Sequence, residues 1–249
     1  MEESVAVRLQ KIKGFWQINQ WIKNLSPLTE LIFVIIVGFG MMIYSSTRGF
    51  FIVTSTFDHA WTYKFTSQGE YSLVIYELFA LLIIGYLLKV RDWSLKDFNL
   101  DFTFRLIWIG LLLMFARNLI GGISYKLFTL ANVVDDATAK HVQFGLNADW
   151  LSIALIVVVN SVYEELLMVG YLFKRLEKYS PVWIIGSSLL LRTVLHTYQG
   201  YIMLFYIVPM GMVFGYYYYR YKKLWPLIIA HGMINIMAFS AMHFQKIKP

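Results

Sequence analysis

Seven apolar stretches, most of them long enough to cross a bilayer, follow one another along this 249-residue chain. Lipid offers no hydrogen-bond partners to backbone amides and carbonyls, so runs of about 20 apolar residues read as membrane-crossing helices. The spans are placed near 28–46, 71–90, 104–121, 151–174, 181–197, 201–219 and 224–242. Pro27, Pro181 and Pro226 fall at proposed helix starts, where a missing N–H costs nothing. Only 15% of the residues are charged, against about 25% in soluble domains. The expected fold class is an all-α, polytopic transmembrane helical bundle of about seven spans.

The organisation follows from the same pattern. Residues 1–27 read as a cytoplasmic amphipathic segment, with Lys and Arg interleaved among Leu9, Ile12, Phe15, Trp16 and Trp21. It lacks the short apolar core and cleavage site of a removable signal peptide. Residues 28–150 form accessory helices and loops, 151–242 the helices that carry the unusual polar groups, and 243–249 a tail. The net charge of +7 lies at the ends of apolar runs. That is a membrane-topology pattern and argues against nucleic acid as a partner. Lys and Arg are concentrated in the segments that are cytoplasmic if the N-terminus is inside, which predicts N-in, C-out in a multi-pass protein of a bacterial cytoplasmic membrane. There are no cysteines, so thiolate nucleophiles and Cys-ligated metals are excluded.

Glu164 and Glu165 stand in the middle of the apolar run Leu151–Phe173. A carboxylate at that depth costs roughly 2.5–3.5 kcal/mol on insertion scales, so a pair of them marks a functional site. Adjacent residues are about 100° apart on a helix, so the two point in different directions. One is expected to face a wet site and the other a neighbouring helix. His231 and Asn235 share one face of the last span at i, i+4 spacing, and Arg192 and His196 share a face of the fifth. A carboxylate in a low-dielectric pocket suits a general base near neutral pH. It can activate water against a peptide carbonyl while imidazole and amide N–H groups steady the oxyanion. Depth is less consistent: at about 1.5 Å per residue, His196 lands about 7–9 Å nearer the outer face than Glu164.

Three motifs carry a family resemblance. Glu164-Glu165-Leu-Leu-Met-Val169 resembles the EExxxR motif of the CPBP intramembrane proteases, the family of CAAX prenyl proteases and bacteriocin-processing or immunity proteins. Arg192-Thr-Val-Leu-His196 resembles its FxxxH motif, and His231-Gly-Met-Ile-Asn235 its HxxxN motif. The resemblance implies a membrane-embedded endopeptidase acting on a membrane-associated peptide or protein within the lipid bilayer. Glu164 and His196 would activate water, His231 and Asn235 would hold the oxyanion, and Glu165 would orient the others. Two positions depart from the pattern: Val169 replaces the motif arginine, and Arg192 replaces the motif phenylalanine. Arg192 is therefore expected to supply the missing guanidinium from the fifth helix, pairing with Glu165.

Other readings stay open. No cofactor is required by the residues, though Glu164, His196 and His231 are alternative zinc ligands; there is no HExxH, and Asn is a poor ligand. A non-catalytic immunity or regulatory scaffold of the same family is the main alternative function. A proton-coupled transporter is less favoured, because the polar groups concentrate in three spans. Oligomeric state is open. Elsewhere, Glu30 and Glu77 are expected near an interface or paired with Arg117. Gly211 and Gly215 are expected at a close helix contact. His59, His141 and His243 are expected in polar outer segments.

Overall fold

Helix α1 (Pro27–Ser55) starts where the Ser26 hydroxyl accepts a bond from the Thr29 amide at 3.1 Å, with Pro27 at the first helical position. We describe residues 16–55, 61–133 and 142–247 from a computed structural model. After α1 come strand β1 (Trp61–Thr66), α2 (Ser67–Val90), α3 (Arg105–Leu130), strand β2 (Val142–Asn147), α4 (Trp150–Arg175), α5 (Pro181–Leu195), α6 (Leu204–Tyr221) and α7 (Trp225–Ile247). All but α5 are long and apolar enough to cross a membrane. The molecule is the all-α polytopic bundle expected, and an integral multi-pass membrane protein.

Helix α4 is the hub. It packs against α2, α5 and α7, and its span is the most buried of the six. The core gathers around it: Tyr163, Leu167, Met168, Val169, Tyr171 and Phe173 are almost wholly enclosed. Helices α1, α2 and α3 leave most of their apolar side chains on the outside, as lipid-facing helices do. The GxxxG of α6 lies against α5. A Cβ on Gly211 would come within 2.6 Å of the Leu189 side chain, and one on Gly215 within 2.9 Å of Ile185. Close packing inside the fold is what this pair does.

The structure differs from the sequence reading in several places, each with a physical cause. Helices α1 and α3 run on to Ser55 and Leu130, well beyond the hydropathy limits, because a helix need not stop where the apolar run does. Helix α5 is only 15 residues long, about 22 Å, too short to cross. The chain then turns through two short 3-10 segments, Thr197–Gln199 and Tyr201–Met203, against the flank of α1. Here Thr197 meets the Ser46 hydroxyl at 3.0 Å. Two parallel strands also appear, paired in register from Trp61↔Val142 to Thr66↔Asn147. Beyond β2, Asp149 caps α4 by accepting from the Ser152 amide, and Tyr71 of α2 also donates to it. Hydrogen bonds from Ser67, Ser152 and Tyr71 hold the Asp149 carboxyl down at about 2.

The expected pairing of Arg117 with Glu30 or Glu77 is not made. Arg117 instead donates to the Tyr206 carbonyl at 3.1 Å and to Asn118 at 2.6 Å, tying α3 to α6. Glu30, fully buried, is held by Arg91 and Arg175 and receives the Tyr171 hydroxyl at 2.9 Å. Arg91 also donates to the carbonyls of Ile22 and Lys23, fastening a short helical segment over 16–23 to the end of α2. The rest of the amphipathic segment, with His59 and His141, lies outside the described residues.

Candidate active site

Immediately after Glu164 and Glu165, helix α4 widens into a π-helical turn over Leu166–Tyr171. Such turns are rare in helices and frequent at functional sites. The two carboxylates at its upper edge diverge as helix geometry requires. Glu165 points at α5 and α7, where it is completely enclosed. Arg192 Nη2 donates to both of its oxygens, at 2.8 and 2.9 Å, and His231 Nδ1 donates to Oε1 at 2.8 Å. Arg192 also sits 3.6 Å from Glu164 Oε2 through its other nitrogen, Nη1, and its guanidinium lies over the Phe214 ring. One guanidinium thus straddles both carboxylates from α5, the position from which the motif exchange required it to come.

Glu164 turns the other way, toward α2 and a cavity of about 370 Å³. Glu164, His196 and Asn235 all line this cavity, together with Asn160, Glu70, Tyr63 and Tyr198. His196 follows the last residue of α5 and, whatever depth the residue count assigns it, lines the same cavity as Glu164. Its Nδ1 bonds the Arg192 carbonyl at 2.8 Å. A carbonyl only accepts, so Nδ1 carries the hydrogen, and in the neutral ring Nε2 keeps a free lone pair. That is the tautomer a proton acceptor needs.

The oxyanion pair is split. Asn235 reaches the cavity, with its amide 3.4 Å from the Ser161 hydroxyl. His231 is buried behind, bonded to Glu165, and is not among the lining residues. The structure therefore brings together Glu164, His196 and Asn235, and sets Glu165, Arg192 and His231 as a charged brace behind them.

One residue was missed from the sequence. The Asn160 amide donates to Glu77 Oε1 at 2.6 Å and to Glu164 Oε1 at 3.2 Å, bridging α2 to the site. The signal was present: Asn160 is one turn before Glu164 in an apolar span, and so on the same face. Asn160→Ala is expected to lower stability by about 1–3 kcal/mol, since it removes the donor shared by acceptor oxygens of two buried carboxylates. Thermal unfolding in lipid nanodiscs would register this. An unchanged melting curve would mean that the bridge does not form.

As to metal, no three His, Asp or Glu side chains among the described residues come together as a ligand set. Of the alternative trio, the Nδ1 atoms of His196 and His231 are already engaged by Arg192 and Glu165.

Comparison with known proteins points the same way. Residues 146–237, which hold all three motifs, match the family model described as type II CAAX prenyl endopeptidase, Rce1-like. The matched segment is similar to that family. It spans from the end of β2 to the middle of α7 and so includes Glu164, Glu165, Arg192, His196, His231 and Asn235. A curated relative, UPF0177 protein YbdI of Lactococcus lactis subsp. lactis (strain IL1403), is 28% identical over 144 residues, covering 54% of this chain and 77% of the relative. No solved structure matches. An Rce1-like segment in a multi-pass bundle implies a protease of the intramembrane CAAX type in general terms.

Proposed function

We propose that this protein is an intramembrane endopeptidase that hydrolyses a peptide bond of a membrane-associated peptide or protein. The reading rests on one observation: Glu164, the free Nε2 side of His196 and Asn235 share a single cavity within the apolar helices. A water held between Glu164 and His196 loses its proton to this pair and attacks the scissile carbonyl. The Asn235 amide donates to the oxygen that becomes negative. The proton is then returned to the leaving nitrogen, so the base of the first step is the acid of the second. Arg192 fixes Glu165, and Glu165 in turn holds His231. The brace sets the angle of α4 against α5 and α7, and with it the distance between Glu164 and His196.

No metal takes part in this scheme. The N-terminal end lies on the cytoplasmic side of a bacterial membrane, as the bias of Lys and Arg suggests.

The test is comparative proteomics of membranes containing the intact or the Glu164→Gln protein. A precursor that accumulates only with Glu164→Gln, and that shortens when the intact protein is added back, is the expected result. If no precursor accumulates and the variant keeps its full biological effect, the protein is a scaffold and the proposal fails.

A further inference from the structure

One wall of the cavity is strand β1, which contributes four consecutive residues: Tyr63, Lys64, Phe65 and Thr66. Successive side chains of a strand point to opposite faces, so a cavity lying over one face would meet alternate residues. Tyr63 and Phe65 turn their rings to Tyr198 and Phe239, which also line the cavity, and Lys64 and Thr66, whose side chains belong to the other face, join the lining from the strand's edge. The opposite edge is taken by β2 along the whole strand. Among the described residues, no backbone bond other than this ladder reaches β1. Alternate amides and carbonyls on its free side are therefore turned toward the cavity with no backbone partner.

We propose that the free edge of β1 is the substrate-docking rail: an extended peptide adds to it as a third strand, with its scissile carbonyl beside Glu164 and His196. This rests on the peptidase reading given above and specifies how the substrate is held. The occupant is argued from chemistry. A row of amides and carbonyls at strand spacing is matched only by another extended main chain. A peptide in helical form has its amides and carbonyls bonded internally and shields the bond to be cut. Unwinding it in lipid leaves those groups without partners. The edge of β1 supplies the missing partners at the place where the bond is cut. Among the other lining residues, Met41, Met42, Leu73, Ile156, Leu195 and Phe239 are apolar and suit alternate apolar side chains. Main-chain bonding of this kind is tolerant of sequence, so specificity would come from those walls.

The experiment measures binding and needs no turnover. The full-length Glu164→Gln protein in lipid nanodiscs is titrated into a fluorescent, acetylated and amidated octapeptide of alternating leucine and threonine. Two analogues are run beside it, N-methylated at every leucine amide or at every threonine amide. A strand addition uses the amides of one edge only. One analogue is therefore expected to bind at least about tenfold more weakly than the parent, and the other to bind like it. Proline at Tyr63, Lys64 or Phe65 provides the complementary series. Proline is tolerated where the lost N–H faced the free side, so any variant that keeps the parent unfolding temperature is expected to lose peptide binding. The docking proposal is overturned if the parent peptide does not bind, if both analogues bind equally well, or if a stable proline variant still binds. The analogue pair decides even where every proline variant fails to fold. Edge-selective binding by a protein whose intact form cuts no precursor would instead sink the peptidase reading and leave the rail standing.

Discussion

Arg192→Leu is expected to cost the protein about 3–5 kcal/mol, the usual penalty for removing one partner of a buried ion pair. That is a large fraction of a total stability of about 5–15 kcal/mol. The cause is specific. Glu165 is fully enclosed and would lose both bonds from Nη2 and keep the one from His231, while Glu164 would lose the one cation paired with it among the described residues, 3.6 Å away. Leucine fills the space but answers no charge, so two carboxylates would crowd the centre of the bundle. The unfolding temperature in nanodiscs should fall steeply. Val169→Arg in the same background should restore part of it, because position 169 is four residues from Glu165 and brings the guanidinium back on α4 itself. Recovery should be partial, since Val169 is packed in the core. A normal melting curve for Arg192→Leu, or a well-folded double variant without rescue, would refute the exchange of arginine between helices.

The second large effect concerns turnover. Glu164→Gln and His196→Ala should each reduce the rate of precursor cleavage by about 10²–10⁴-fold, the range for a positioned acid–base group. Glutamine keeps the size and the bond from Asn160 but cannot take a proton. Because both side chains serve one water, the double variant should be no slower than the worse single one by more than a small factor. Multiplying losses would show that the two act in separate steps, or on separate waters, and the shared-water scheme would have to be abandoned.

Much of this architecture was legible in the residues. Every span began within a few positions of its predicted start, because proline at the first helical position announces a helix where the apolar run opens: Pro27 and Pro181 are examples. The far ends were not legible, because hydropathy measures the lipid and not the helix. The first apolar run ends near residue 46, yet α1 continues through Arg48 to Ser55. The Arg192–Glu165 contact could be anticipated from an arginine lost at one motif and gained at another.

Other features were hidden for physical reasons. The placement of His231 behind Glu165 depends on the rotation of α7, which spacing within one helix cannot reveal. Asn160 was passed over because a single amide in an apolar run is ordinarily a helix–helix contact; only its partners Glu77 and Glu164 make it more. The strand was visible and unread. Trp61-Thr62-Tyr63-Lys64-Phe65-Thr66 alternates aromatic and polar residues with a period of two, but it lies between two spans and was taken as connecting loop.

The ladder also dictates an order of events during synthesis. Trp61 pairs with Val142, 81 residues later, so β1 leaves the ribosome well before its mate exists. Helices α1 to α3 must be threaded into the bilayer while that strand waits alone, and the clasp can close only when the stretch before α4 emerges. The chamber for chemistry is thus sealed by the same late event that delivers Glu164, and a nascent chain carries no competent site until its second half has arrived.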